Sequence, residues 1–87
     1  MIAREVLIVN PLGLHARPAA QLVRTAAAFR SAVLIGKDGM DVNGKSIMGV
    51  MMLAAECGST IRISADGEDE AEALEALCAL VTDGFGE

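Results

Sequence analysis

The sequence predicts an α+β fold, a two-layer open-faced sandwich in which three helices cover one face of a four-stranded antiparallel sheet. Strand-like and helix-like hydrophobic periodicities follow each other along the 87 residues in the order βαββαβα. The dipeptide Asp38-Gly39 joins two neighbouring strand-like runs, and a two-residue turn of this kind connects antiparallel strands. Residues 60–65 alternate apolar and polar side chains, which is typical of an antiparallel strand with one solvated face. A chain of this length is expected to form one domain over residues 1–87.

The first half of the chain predicts three strands and one amphipathic helix. A run rich in Val, Ile and Leu at Arg4–Val9 forms the first strand and ends before a Pro-Leu-Gly break. Apolar residues then recur every three or four positions over Ala16–Arg30, which predicts a helix with one buried face. That face carries Ala19, Leu22, Val23, Ala26 and Phe29. Two short runs, Ala32–Gly36 and Met40–Val42, complete a hairpin around the Asp-Gly turn.

The second half predicts a short helix, a strand and a longer helix. The short helix spans Ile47–Leu53, and Ser46 is placed to cap its first turn. In the strand at Thr60–Ala65, the predicted inward side chains are Ile61, Ile63 and Ala65, and the predicted solvent-facing ones are Thr60, Arg62 and Ser64. The last helix is predicted over Asp69–Thr82, with an acidic first turn that suits the helix dipole. Its buried stripe consists of Leu74, Leu77, Cys78 and Val81.

Composition argues against several classes of function. The net charge of −5 and the presence of only two aromatic residues disfavour a nucleic-acid partner. No apolar run approaches the ~20 residues that cross a bilayer. A single histidine and two cysteines without Cys-x-x-Cys spacing make a metal site improbable. Without a secretory signal pattern, Cys57 and Cys78 are expected to be reduced, buried structural thiols of a cytoplasmic protein.

Charge is distributed unevenly and directs attention to the first half. Residues 1–45 hold six Lys/Arg against three Asp/Glu, whereas residues 46–87 hold one against nine. An anion site is therefore expected in the first half. A domain this small buries only part of its surface, so its site should be a shallow surface feature shared with a larger partner.

The segment Gly-Leu-His-Ala-Arg-Pro-Ala at 13–19 lies where a strand has ended and a helix begins. The first amide N–H groups of a helix lack intrahelical partners and bind anions. His15 can lay a ring nitrogen over these groups, and the planar guanidinium of Arg17 suits phosphate oxygens. A neutral imidazole is a competent nucleophile. The residues alone also fit a simpler interpretation, in which His15 is an ordinary helix-start residue and Arg17 a solvated charge.

Two segments resemble the HPr family, the histidine phosphocarriers of the phosphoenolpyruvate-dependent phosphotransferase system. The first is the segment at 13–19, and the second is Asn-Gly-Lys-Ser-Ile-Met-Gly-Val-Met at 43–51, which is similar to the family's serine-phosphorylation segment. The similarity extends over essentially the whole chain and includes the order of the elements. It implies the open-faced sandwich and a phosphoryl-carrier function.

The resemblance also implies roles for individual residues. His15 would be phosphorylated on Nδ1, and Arg17 with the backbone N–H of Ala16 would bind the phosphoryl group. Ser46 would be modified by an ATP-dependent HPr kinase/phosphorylase. Enzyme I would be the donor and IIA-type domains the acceptors, with no cofactor and no turnover of the carrier's own.

A partner surface is expected around His15. Its members would be Leu14, Arg24, Ile47, Met48 and Met51. Methionine side chains adapt to several partners, and a carrier must meet at least a donor and an acceptor. A monomer is expected, with no membrane and no nucleic acid as partner.

Two other functions are weighed against the carrier. A mainly regulatory HPr-like protein, nitrogen-type or kinase-controlled, would bind partners through the Ser46 face without sugar transport, but it would have no need of His15. A generic small-anion-binding module would hold no acid-labile phosphate on His15. The sequence does not distinguish a sugar branch from a nitrogen-linked branch.

Overall fold

The computed structural model describes all 87 residues and confirms the predicted open-faced sandwich. Its elements are β1 Ile2–Leu7, α1 Ala16–Ala27, β2 Ala32–Lys37, β3 Met40–Asn43, α2 Ile47–Met52, β4 Thr60–Asp66, α3 Glu70–Thr82 and a 3₁₀ turn at Gly84–Gly86. The predicted order of strands and helices is confirmed, and the 3₁₀ turn is an additional element. None of the helices is long and apolar enough to span a membrane.

The sheet is antiparallel throughout, with strand order β1-β4-β2-β3. In the register, Ile63 on β4 lies between Arg4 on β1 and Ile35 on β2. Inward side chains of β2 and β4 pack against α1 and α3 in one cluster of 17 buried residues. All four residues of the predicted α3 stripe are buried in this cluster. The core therefore lies between the sheet and the helices, and it fixes the start of α1 relative to the sheet.

The β2–β3 hairpin has the turn that its sequence predicts. Asp38 and Gly39 both have positive φ, 52° and 83°, and Lys37 pairs with Met40 across the turn. Positive φ at both central positions is what a type I′ turn requires, and it matches the right-handed twist of the strands.

The bounds of β1 and α1 differ from the prediction by two or three residues, those of the other strands and helices by one residue, and one side chain has the opposite orientation. β1 spans Ile2–Leu7 instead of starting at Arg4 and ending at Val9. α1 ends at Ala27, and the amides of Ala28 and Phe29 bond only three residues back, to the carbonyls of Thr25 and Ala26. The amides of Arg30 and Ser31 leave the helix and donate to the carboxylate of Asp69. Ser64, predicted to face solvent, is only 4% exposed. It lies on the central strand, where Ala3 and Leu34 flank it on both sides and cover its small side chain.

The carboxylate of Asp69 ties the connection after α1 to the start of α3. It accepts hydrogen bonds from the amides of Arg30 (2.8 Å) and Ser31 (2.9 Å) and from the Ser31 hydroxyl. The hydroxyl and amide donors lower the pKa of Asp69 to about 2. Because the folded-state pKa lies below the ordinary value of 3.8, this contribution to stability is present above that value and is lost as the pH falls towards about 2.

Asp69→Asn is expected to lower the melting temperature at pH 7 and to flatten its fall between pH 4 and pH 2. The amide has one acceptor oxygen where the carboxylate has two, and it does not ionise. Circular dichroism melts across this pH range measure both effects. Asp83→Asn, which changes an exposed carboxylate without a capping hydrogen bond, is the control. An acid slope equal to that of the wild type in Asp69→Asn would contradict this account.

Candidate functional site

The loop between β1 and α1 is held by hydrogen bonds at both ends. The Asn10 side chain donates to the carbonyl of Gly13 at 2.7 Å, and the Gly13 amide donates back to the carbonyl of Asn10 at 3.1 Å. The Leu14 amide donates to the carbonyl of Ala55 at 2.9 Å. Gly13 has φ of +67°, and an added Cβ would collide with the Ala55 carbonyl oxygen. The chain therefore enters α1 from one fixed direction.

His15 is the N-cap residue of α1, as the sequence predicts for the residue before the helix. Its backbone is extended (φ −77°, ψ −172°), and its carbonyl accepts the first helical hydrogen bond from Ala19 at 3.0 Å. The ring is 36% exposed and does not point into the core. The amides of Ala16 and Arg17 lie in the first turn, where the helix offers no acceptors, and Pro18 has no amide N–H.

The ring of His15 makes a contact that the sequence did not reveal. We expected a ring nitrogen over the helix amides, but the side chain makes no capping hydrogen bond. Its Nε2 lies 3.0 Å from Oε2 of Glu87, and Oε1 of the same carboxylate accepts from Asn10 Nδ2 at 3.1 Å. Nδ1 makes no hydrogen bond within the protein and is the ring nitrogen left free.

Glu87 reaches His15 because the chain turns back after α3. The 3₁₀ turn at Gly84–Gly86 is anchored by Phe85, which is buried although its φ is +59°. The Gly-Phe-Gly run is a sequence signal for a chain reversal. No local pattern, however, connects positions 72 residues apart, so the partner of His15 was missed.

Arg17 and Arg24 are exposed on α1, and neither forms a salt bridge. Their guanidinium groups are therefore available to an external anion. No surface pocket is lined by His15; the pockets lie along β-strands and the hairpin turn. The candidate site therefore lies outside these pockets. No group of three or more His, Cys, Asp or Glu side chains could hold a metal ion.

Ser46 caps α2, as its position predicts. Its Oγ accepts a hydrogen bond from the Gly49 amide at 3.1 Å, and the residue is half-buried. The hydroxyl thus stabilises the first turn of α2 while part of the side chain remains accessible.

A methionine patch, defined as Ile47, Met48, Met51 and Met52, covers the outer side of α2. All four side chains are exposed, Met48 to 77%, while Val50 on the same helix is buried. α2 packs against α1, the helix that begins at the site. Ile47, Met48 and Met51 are therefore exposed next to this helix, as predicted, and Met52 is exposed in addition.

Two side chains do not lie where the sequence analysis placed them. Leu14, expected on the partner surface, is only 5% exposed and belongs to the core cluster. Its amide donates a hydrogen bond to the carbonyl of Ala55, and its side chain points inward. Cys57, expected to be buried, is exposed on the loop before β4, with Sγ near the carbonyl of Val9 at 3.7 Å. Cys78 is buried, and burial raises the pKa of its thiol.

The fold and this junction define a small open-faced sandwich protein that presents a histidine at a helix start. The family model described as "PTS HPr component phosphorylation site" matches residues 2–83. The chain belongs to the HPr family, the phosphocarrier proteins of the phosphotransferase system.

Individual relatives agree with this assignment. Phosphocarrier protein HPr of Cupriavidus necator is 52% identical over the whole chain and 98% of the relative. HPr-like protein Crh of Halalkalibacterium halodurans is 49% identical over 93% of the chain and 96% of the relative.

Solved structures agree as well. HPr-C-His from Thermoanaerobacter tengcongensis superposes with a TM-score of 0.96 at 47% identity, covering 100% of this chain and 98% of the other. A structure described as an HPr dimer from the same organism has a TM-score of 0.80 at 49% identity, covering 94% of each chain.

Proposed function

We propose that the chain accepts a phosphoryl group on Nδ1 of His15 from phosphorylated enzyme I and passes it to IIA-type domains. The observation that carries this proposal is the half-exposed imidazole at the start of α1, with Nε2 engaged by Glu87 and Nδ1 free. The unpaired guanidinium of Arg17, two residues further along the chain, adds a phosphate-binding group.

The chemistry needs few groups from the protein. A neutral imidazole attacks phosphorus with a ring lone pair, so no general base is required. The amides of Ala16 and Arg17 carry the positive end of the α1 dipole and can receive the phosphoryl oxygens. The Arg17 guanidinium can bind two of these oxygens at once. Positioning and charge neutralisation dominate phosphoryl transfer, and both can be supplied on an exposed surface.

On this proposal the protein is a covalent intermediate and not an enzyme with turnover of its own. It works as a single domain over residues 1–87 and as a monomer, because His15 must stay open to donor and acceptor in turn. The dimer described for a T. tengcongensis relative is the alternative assembly. Both cysteines are free thiols, which fits the reducing cytoplasm.

Uptake and delivery of phosphoryl groups test this function directly. The protein is incubated with phosphoenolpyruvate and catalytic enzyme I, and intact-protein mass spectrometry is recorded before and after acid treatment. We expect one phosphoryl group per chain, lost in acid, and loss of the group when a IIA-type domain is added. A chain that gains no acid-labile phosphoryl group would contradict the proposal.

We propose that the partner surface combines the arginines of α1 with the methionine patch. Arg17 and Arg24 are exposed cations that suit an acidic partner, and the outer side of α2 offers adaptable apolar contact. Leu14 supports this surface from inside the core and does not take part in it.

Phosphorylation of Ser46 by an HPr kinase/phosphorylase is proposed as the regulation of this surface. A phosphate of charge about −2 at Ser46 would lie beside Ile47 and Met48, in the area that meets an acidic partner. Ser46 is half-buried as the cap of α2, and its modification would change charge without refolding the domain.

Ser46→Asp is therefore expected to weaken binding to enzyme I. Repulsion between like charges in an interface should raise Kd about tenfold, roughly 1.4 kcal/mol. Ser46→Asn is the matched control, because asparagine caps a helix as well as aspartate does and carries no charge. Isothermal titration calorimetry of both variants measures the effect. Equal affinities for the two variants would show that the charge at position 46 does not control docking.

A mainly regulatory function is the second candidate. The 49% identity with HPr-like protein Crh and the intact serine segment favour it. His15 distinguishes the two candidates, because a protein that acts only through the Ser46 face needs no phosphoryl acceptor at the start of α1. Phosphoryl uptake without delivery to any IIA-type domain would favour the regulatory function.

A further inference from the structure

None of the five methionines of the chain lies in the core. The cluster of 17 buried side chains between the sheet and the helices contains no methionine, although this residue commonly fills gaps in hydrophobic cores. Met1, before β1, and Met40, at the start of β3, are exposed. The other three are exposed together on α2: Met48 to 77%, Met52 to 69% and Met51 to 43%. The thioether sulfurs are therefore outside the core and concentrated in the methionine patch.

The helix that carries the patch is apolar and uncharged. Residues 47–55 contain no Asp, Glu, Lys or Arg. Met51 and Met52 follow Met48 by three and four positions, so both are its neighbours on the surface of the helix. Val50 lies between them in sequence and is buried. An oxygen atom added to one of the three exposed sulfurs would therefore introduce a polar group into an apolar docking area.

We propose that Met48, Met51 and Met52 form an oxidation-sensitive site through which a hydroperoxide controls docking. Conversion of these thioethers to sulfoxides weakens binding to enzyme I and so slows the flow of phosphoryl groups through His15. This inference rests on the proposed carrier function and partner surface, and it adds a control that is separate from phosphorylation of Ser46. Because the core contains no methionine, the fold should survive the oxidation that weakens docking.

The oxidant is a hydroperoxide such as hydrogen peroxide. A sulfur lone pair attacks one peroxide oxygen, the O–O bond breaks, and its electron pair leaves with the other oxygen as hydroxide. The OH group on sulfur then gives its proton to the hydroxide, which yields one sulfoxide and one water. The thioether is oxidised by two electrons and the peroxide is reduced by two. Methionine sulfoxide reductases reverse the change with a dithiol, which becomes a disulfide while the oxygen leaves as water.

A sulfoxide opposes docking because it is polar. The thioether is a flexible apolar group, whereas the sulfoxide carries an oxygen that water hydrates in the free protein. Docking removes this water, and an acceptor left without a partner in an interface is unfavourable. We expect the Kd for enzyme I to rise about tenfold when the patch is oxidised. Met48 is the most exposed of the three and should be oxidised first.

The thiol of Cys57 is a competing target for the peroxide. Thiols are oxidised by hydroperoxides as well, and Cys57 is the exposed one of the two free cysteines. All proteins in the test therefore carry Cys57→Ser. If the effect of peroxide on binding disappears in this background, the thiol is the responsive group and the proposal is overturned.

The experiment measures the Kd for enzyme I by isothermal titration calorimetry before and after treatment with hydrogen peroxide. Peptide mass spectrometry locates each added oxygen atom, and circular dichroism checks that the fold is retained. The triple variant Met48→Leu/Met51→Leu/Met52→Leu keeps apolar side chains but removes the sulfurs of the patch. Met40→Leu is the matched control, because it removes an exposed sulfur outside the patch. Each protein is compared with its own reduced form, so differences in basal affinity do not enter the result.

Oxidation should raise the Kd about tenfold in the Cys57→Ser background and equally in its Met40→Leu variant. The triple variant should keep the Kd of its reduced form, and methionine sulfoxide reductases A and B with dithiothreitol should reverse the rise. An unchanged Kd in the background, an equal rise in the triple variant or loss of the fold on oxidation would overturn the proposal. These results leave the carrier function standing, whereas failure of the reduced wild type to take up phosphoryl groups would remove the carrier function itself.

Discussion

His15→Ala is expected to abolish phosphoryl uptake from phosphorylated enzyme I completely. The proposal assigns the bond to phosphorus to one ring nitrogen, and alanine has no atom that can form it. The ring is half-exposed and makes only one hydrogen bond, to Glu87, so the variant should fold normally. Intact-protein mass spectrometry after incubation with phosphoenolpyruvate and enzyme I measures the loss, and circular dichroism checks the fold. An acid-labile phosphoryl group on this variant would place the chemistry elsewhere.

Arg17→Ala should slow the same transfer about 100-fold without abolishing it, because removal of one preorganised charge partner commonly has this cost. Arg30→Ala is the matched control for net charge. Its side chain is exposed, and its only salt bridge is a 3.6 Å contact with the equally exposed Glu68. Equal slowing in the two variants would mean that overall charge, and not contact with the phosphoryl group, sets the rate.

Gly13→Ala is expected to destabilise the fold and displace the site. An alanine at φ +67° costs roughly 1–2 kcal/mol of backbone strain. Its Cβ would collide with the Ala55 carbonyl oxygen and lie 2.9 Å from Cα of Glu56, and such crowding adds about 1–3 kcal/mol. Since Ala55 accepts the hydrogen bond from Leu14, the clash falls on the contact that aims the chain into α1.

The melting temperature of Gly13→Ala should fall by roughly 8–40 °C, given about 4–8 °C per kcal/mol in a domain of this size. Gly39→Ala is the control, because it also has positive φ (83°) but its added Cβ meets nothing within 4 Å. Its melting temperature should fall only by the amount due to backbone strain, and its transfer rate should equal that of the wild type. Equal melting temperatures for the two variants would show that the collision with Ala55 is relieved at little cost.

Features that depend on neighbouring residues could be predicted from the sequence. The start of α1 at Ala16, the Ser46 cap and the turn at Asp38-Gly39 each follow from residues within one turn of chain. The exposure of Met48 follows from helical geometry, since one short helix cannot bury apolar side chains on every side.

Features that depend on residues distant in sequence could not be predicted from the sequence. The early end of α1 depends on Asp69, whose carboxylate accepts hydrogen bonds from the amides of Ser31 and Arg30. These amides lie 38 and 39 positions away along the chain. The partner of His15 lies 72 positions along the chain, and the intervening turn depends on how Phe85 packs. The sequence predicts Leu14 on the surface because it adjoins His15, but the side chain lies in the core, where the Leu14 amide donates to the carbonyl of Ala55.

The position of phosphorus on the ring tests the central claim most directly. The protein is labelled with ¹⁵N, phosphorylated with phosphoenolpyruvate and enzyme I, and studied by ¹⁵N and ³¹P NMR. The free Nδ1 and the Nε2 contact with Glu87 predict phosphorus on Nδ1 of His15 and a proton on Nε2. Phosphorus bound to Nε2, or to any residue other than His15, would contradict the account.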